Sequence, residues 1–298
     1  MKPVHIGGTS EIRSTIFGRG GNSVAFVLTV GSGVRGCDGR RPADPRRAPA
    51  PEVLVDLKKI AELVSLTSDD KKWTVGAATP TVELTENQAF SQEFPGISEA
   101  AGLIGSDQIQ SRSSLGGNLC NGSPAADSVT AMMVNGTRAL IAGPKGNRVV
   151  DVSEVVTGPG QTCLGSDEFI VEFEIDRAPS LTGDAYLRMI PRTEMDIAVV
   201  GVGARVTLAE DGTIAAAALA LGAVAPTVVR VAAAEEALMG TTADEDTLAV
   251  VAAAASEVCN PIDDKRGTIA YREQVAGVLA KRAVLIAMER AQQRNGGV

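Results

Sequence analysis

The sequence predicts an α+β chain of more than one compact unit, and three observations carry that reading. Its 298 residues exceed the ~100 to 200 of an ordinary domain. Short apolar runs separated by polar turn residues recur between positions 53 and 175, the signature of strands in a small sheet. After the polar, proline-bearing break Arg177-Ala178-Pro179-Ser180, the text changes to two long alternating runs followed by Ala-rich segments. The expected division is therefore residues 1–178 and a smaller α+β unit over 179–298.

In chain order, 53–57 and 73–77 read as strands, and 81–94 as a helix with Thr81 as N-cap and Glu83 in its early turns. A second helix is expected over 96–102. Residues 138–142 and 148–152 form a hairpin closed by Gly143-Pro144-Lys145-Gly146-Asn147, and 169–175 continues the sheet. Beyond the break, 199–208 and 213–221 read as antiparallel strands about Ala209-Glu210-Asp211-Gly212. Helices follow over 231–239, 244–258 and 271–293, favoured by alanine propensity.

Charge and composition exclude several functions. A formal net charge of -8 and nine aromatic residues argue against a nucleic-acid partner, which selects basic faces and stacking rings. The four cysteines, Cys37, Cys120, Cys163 and Cys259, lie far apart without a C-x-x-C pair, so no zinc ribbon or iron–sulfur ligand set is expected and the thiols read as buried. The only histidine is His5, which argues against Ser-His and Cys-His catalysis. No apolar run reaches the ~18 residues that span a bilayer, and no apolar signal core opens the chain, so a reducing, cytoplasmic setting is expected.

The stretch Ser114-Leu115-Gly116-Gly117-Asn118, followed by Ser123-Pro124-Ala125-Ala126-Asp127, is the sharpest chemical signal. Adjacent glycines can adopt positive φ and let backbone N–H groups converge on an anion, while Ser114 and Asn118 add side-chain donors. Asp127, beyond a proline-stiffened turn, is placed to accept hydroxyls of a ribityl chain or ribose. The pattern reads as a flavin pyrophosphate cradle.

Those residues resemble the FAD-binding medium subunits of the molybdenum hydroxylases, the group that includes carbon monoxide dehydrogenase and the flavin domain of xanthine dehydrogenase. The likeness runs from about Pro51 to Ala287, through 51–57, 75–79, Ser114 to Asp127, Thr162-Cys163-Leu164 with Asp167-Glu168, Tyr186 to Ala198, and Asp263-Asp264-Lys265-Arg266-Gly267 with Tyr271-Arg272. It implies a two-subdomain PCMH-type FAD-binding domain followed by the smaller α+β domain. It further implies that Ser114, Leu115, Gly116, Gly117 and Asn118 hold the pyrophosphate, Asp127 the ribityl or ribose hydroxyls, and Leu164 and Ile104 apolar parts of the cofactor. Arg188 takes the place of a lysine near the flavin ring; the bland alternative for Arg188 and Arg192 is a surface salt bridge, for instance to Asp196. Gly31 and Ser32 fall where the family has a first Gly-Gly turn, of which only Gly31 and Ser32 match. No catalytic acid or base and no metal ligand is expected in this chain.

The implied function is electron transfer. A molybdopterin-binding large subunit would oxidise the substrate, two [2Fe-2S] clusters of a small subunit would pass electrons to this FAD, and an external acceptor would discharge it. The alternatives are a self-contained FAD-dependent oxidase and an assembly subunit that has lost FAD.

A literal G-x-G-x-x-G, Gly31-Ser32-Gly33-Val34-Arg35-Gly36, with Asp56 beyond it, imitates a dinucleotide fingerprint. Pro42, Pro45, Pro49 and Pro51 occupy the helix that such a site needs, at ~3 kcal/mol each in a helix interior, so the fingerprint is read as false. The first 50 residues also carry eight of the 28 basic side chains against three acids, although the whole chain is acidic. That departure reads as either divergence or a shifted reading frame, which sequencing of the gene decides.

Overall fold

The computed structural model describes residues 12–14, 27–30 and 53–294, with side chains from Leu57 onward. Gly31, Ser32 and the false fingerprint lie outside the described residues. Strands β1 (Ile12–Ser14), β2 (Val27–Val30) and β3 (Val53–Asp56) pair antiparallel in that order. A five-stranded antiparallel sheet follows, in spatial order β4-β5-β10-β6-β7. Its strands are β4 (Leu66–Ser68), β5 (Lys72–Gly76), β6 (Arg138–Gly143), β7 (Gly146–Asp151) and β10 (Phe169–Asp176). Period-two burial is clear in β5 and β10, where Trp73, Val75, Phe173 and Ile175 face the core. The short pair β8 (Val156–Gly158) and β9 (Gln161–Thr162) forms a separate ribbon.

Helices cover this sheet. The single helix expected over 81–94 is two, α1 (Thr81–Glu86) and α2 (Gln88–Glu93), because Asn87 leaves helical geometry and accepts the Phe90 N–H at 3.0 Å as a new N-cap. Pro80, not Thr81, occupies the first cap. Thr81 is instead buried, with its hydroxyl 2.7 Å from Ser113 Oγ and its N–H donating to Ser113 O at 2.9 Å. That tie fixes the chain just before the Gly-Gly stretch. Helices α3 (Pro95–Gly102), α4 (Asp107–Gln110), α5 (Leu115–Cys120), α6 (Asp127–Val134) and α7 (Val152–Val155) complete the unit.

The C-terminal sheet is a meander of β11 (Thr182–Met189), β12 (Val200–Leu208), β13 (Ile214–Gly222) and β14 (Val229–Arg230). Helices α8 (Ala232–Leu238), α9 (Glu245–Glu257) and α10 (Ile269–Gln293) pack on it around Val202, Val206, Leu219, Val251, Ala280 and Val284. Elements of the first unit meet the same sheet, with α3 against β11 and α6 against β12 and β13. The seam is polar at its rim: Arg290 donates to Asp184 O at 2.8 Å and pairs with Glu99, while Arg294 donates to Thr182 O at 2.8 Å and to the Gln92 and Glu93 carbonyls.

Candidate cofactor site

The Ser114–Asn118 stretch is the start of a helix rather than an open turn. Ser114 is extended (φ -147, ψ 161) and its Oγ accepts the Gly117 N–H at 3.1 Å, the geometry of an N-cap. Neither Gly116 nor Gly117 has positive φ, so the expectation of left-handed glycines does not hold. The glycine at 116 answers a different need. A Cβ there would lie 2.5 Å from Ala77 O, and the Gly116 N–H donates to that same oxygen at 3.1 Å. The helix start thus rests directly on the chain leaving β5, with Leu115 buried in the core.

Asn118 ties α5 to α6. Its side-chain oxygen accepts from Ser128 N–H at 3.3 Å and Ser128 Oγ–H at 2.7 Å. The backbone donor identifies the facing atom as the oxygen, so the amide NH2 points away as a two-proton donor. The next residue back from Ser128 is Asp127, in the first turn of α6, where a carboxylate is favoured by the helix N-terminus.

Asp127 is the hub of a buried triad. Its Oδ1 accepts the Tyr186 hydroxyl at 2.6 Å and its Oδ2 accepts Arg188 Nη1 at 3.0 Å. The Arg188 and Asp127 side chains are 4% and 3% exposed. Burial pushes the Asp127 carboxyl above the ordinary range, opposed by the Arg188 guanidinium and the Tyr186 hydrogen bond. Burial also drives the Tyr186 phenol well up, so it keeps its proton and donates. Of the two arginines weighed as surface ion pairs, Arg192 makes one, to Asp196 at 3.2 Å, and Arg188 does not.

Tyr186 was not among the sequence candidates. It lies two residues before Arg188 on β11, so period two puts both on one face, but that inference requires reading β11 as a strand. The partner strand is shaped for it: a Cβ on Gly201 would sit 2.6 Å from the Tyr186 hydroxyl oxygen. Leu164, half-buried, packs on the same apolar cluster as Leu115, Ala126 and Tyr186, whereas Ile104 is buried beyond α3 and outside that cluster.

The residues present fit a ligand that carries both hydroxyls and acceptors. Each Asp127 oxygen has one protein donor and retains lone-pair capacity for another. Arg188 Nε is buried by the protein itself and has no hydrogen-bond partner among the described residues. Among the described residues no group of three His, Cys, Asp or Glu is placed to hold a metal ion, and no helix is long and apolar enough to cross a membrane.

Fold and site together define a protein of two joined units, with a capped helix start at Ser114 in the first and a buried carboxylate–arginine pair between them. Residues 36–177 match the family described as FAD binding domain in molybdopterin dehydrogenase, and residues 185–287 match the CO dehydrogenase flavoprotein C-terminal domain. The chain belongs to the FAD-binding subunits of the molybdenum hydroxylases, a family of oxidoreductases. It is 30% identical over 274 residues to the carbon monoxide dehydrogenase medium chain of Afipia carboxidovorans, covering 91% of this chain and 94% of that one. To the xanthine dehydrogenase FAD-binding subunit of Escherichia coli O157:H7 it is 29% identical over 233 residues, 78% of this chain and 80% of the relative. A solved carbon monoxide dehydrogenase from Hydrogenophaga pseudoflava superposes with TM-score 0.78 at 31% identity, over 82% of this chain and 85% of that one.

Proposed function

We propose that this chain is the electron-transfer subunit of a molybdopterin-dependent hydroxylase, receiving electrons from [2Fe-2S] clusters on a small partner chain and passing them to an external acceptor. The observation that carries the site assignment is the buried Asp127–Arg188 pair at the junction of the two matched domains. The helix start at Ser114, Leu115, Gly116, Gly117 and Asn118 holds the pyrophosphate, and Asp127 accepts sugar or ribityl hydroxyls. Leu164 and Ile104 supply apolar contact. Arg188 places positive charge beside the ring, where it favours the reduced cofactor. Bound FAD supplies two-electron storage with one-electron exchange.

The substrate chemistry belongs to a molybdopterin-binding large subunit. This division of labour is supported by relatives described as a medium chain of carbon monoxide dehydrogenase and as a subunit of a 6-hydroxypseudooxynicotine dehydrogenase complex. The free thiols of Cys120, Cys163 and Cys259 fit a reducing, cytoplasmic setting. The proposed unit boundary, 1–178 and 179–298, falls between β10 and β11.

The test is an absorbance spectrum of the purified chain after incubation with FAD and desalting, alone and with its partner chains. Stoichiometric flavin is expected. A colourless protein in both cases overturns the reading.

A further inference from the structure

We propose that Tyr186 is a positioning residue of the cofactor site: its hydroxyl fixes the rotation of the Asp127 carboxylate, which in turn sets where the Arg188 guanidinium stands. This rests on the functional reading above. Tyr186 and Arg188 rise from one face of β11 and grip different oxygens of the same carboxylate, at 2.6 Å and 3.0 Å. A carboxylate held at both oxygens from one strand cannot turn about its terminal bond.

Arg188 therefore meets Asp127 through Nη1, and its Nε stays unspent. Without the phenol, Oδ1 would be a buried acceptor lacking its partner. The carboxylate would relieve that by turning both oxygens onto the guanidinium, the bidentate arrangement that arginine favours. Arg188 would then be drawn toward Asp127 and its charge more fully neutralised, leaving less for the cofactor.

The surroundings are built around this contact. Tyr186 is buried, and β12 carries glycine at 201, where a Cβ would lie 2.6 Å from its hydroxyl oxygen.

The test uses the full chain freed of flavin. FAD is titrated into the parent, Tyr186→Phe and Gly201→Ala proteins by flavin fluorescence, and the midpoint potential of each bound flavin is measured by dye equilibration. Tyr186→Phe is expected to bind FAD about tenfold more weakly, equivalent to about 1.4 kcal/mol, and to show a more negative potential. Gly201→Ala, which displaces the hydroxyl without deleting it, is expected to shift both in the same direction by less. Loss of stability alone would not move the potential. A Tyr186→Phe protein whose flavin potential equals the parent's, or is more positive, overturns the proposal while leaving the functional reading intact. A parent that binds no FAD either alone or with its partner chains overturns both.

Discussion

At Gly116 a single methyl group would meet Ala77 O at 2.5 Å, and at Ser114 a single oxygen caps α5. Gly116→Ala is expected to destabilise the protein by ~1–3 kcal/mol through overpacking against backbone that cannot move aside. Ser114→Ala should lose ~1 kcal/mol through the cap. Urea unfolding of both variants checks these, and a Gly116→Ala protein as stable as the parent would show that α5 does not rest on Ala77. Asp184 offers a different test. It is 2% exposed, with Oδ2 bound by Asn135 Nδ2 at 2.8 Å and Oδ1 without a partner. Burial raises its carboxyl to about 6, above the 3.8 of the unfolded chain, so between those values the folded state holds the extra proton. The contribution of this group is therefore greatest below pH 4 and is lost as pH rises to 6, roughly 3 kcal/mol at 1.36 per unit. In Asp184→Asn that loss disappears, so its stability relative to the parent should grow between pH 4 and pH 7. A difference that stays flat across this range would refute the assignment.

Among the elements, α10 carries the junction of the two units. Arg294, at its C-cap, donates to carbonyls of β11 and α2, and Arg290, one turn earlier, pairs with Glu99 of α3. A charged donor to a backbone carbonyl is worth ~1.5–3 kcal/mol, so Arg294→Ala, which removes three such contacts, should lower the unfolding free energy by at least that amount. The Arg290–Glu99 pair is a quarter to a third exposed, and a double-mutant cycle should give a coupling below ~1 kcal/mol. Calorimetry also tells whether Arg294→Ala splits one transition into two. Strands whose inner faces are apolar, such as β5, β10, β12 and β13, were legible in the sequence, as was the hairpin closed at Gly143–Gly146. The strand β11 was not. Its inward residues Asp184, Tyr186 and Arg188 are polar and meet Asn135 and Asp127 at the two ends of α6, with Asp184 Oδ1 and Arg188 Nε left without partners among the described residues, so no apolar alternation marks it. Helix α5 was hidden by its two glycines, and the break at Asn87 by a run that reads as continuous helix.

For the whole molecule, the motif Ser114 to Asp127 led to the family because it combines a backbone cradle and a carboxylate at fixed spacing. The residues of the candidate site were singled out one at a time. That Asp127 and Arg188 meet, 61 positions apart, follows only from docking β11 against α6. The two units share that surface, so the site is a property of their junction and not of either alone. A protein unfolded across the seam should release flavin before the five-stranded sheet melts, which flavin fluorescence and far-ultraviolet dichroism followed in the same denaturant series would resolve. Coincident transitions would instead mark the two units as a single cooperative block.

The clearance at Gly201 also carries a historical consequence. A side chain at that place and a hydroxyl at 186 compete for one volume, so a change at 201 displaces the phenol from its present place and the two positions are coupled. Across descendants of this fold, any lineage that gained alanine or larger opposite Arg188 should already have exchanged the phenol for phenylalanine or a smaller ring. A chain bearing both should hold its phenol displaced from Asp127.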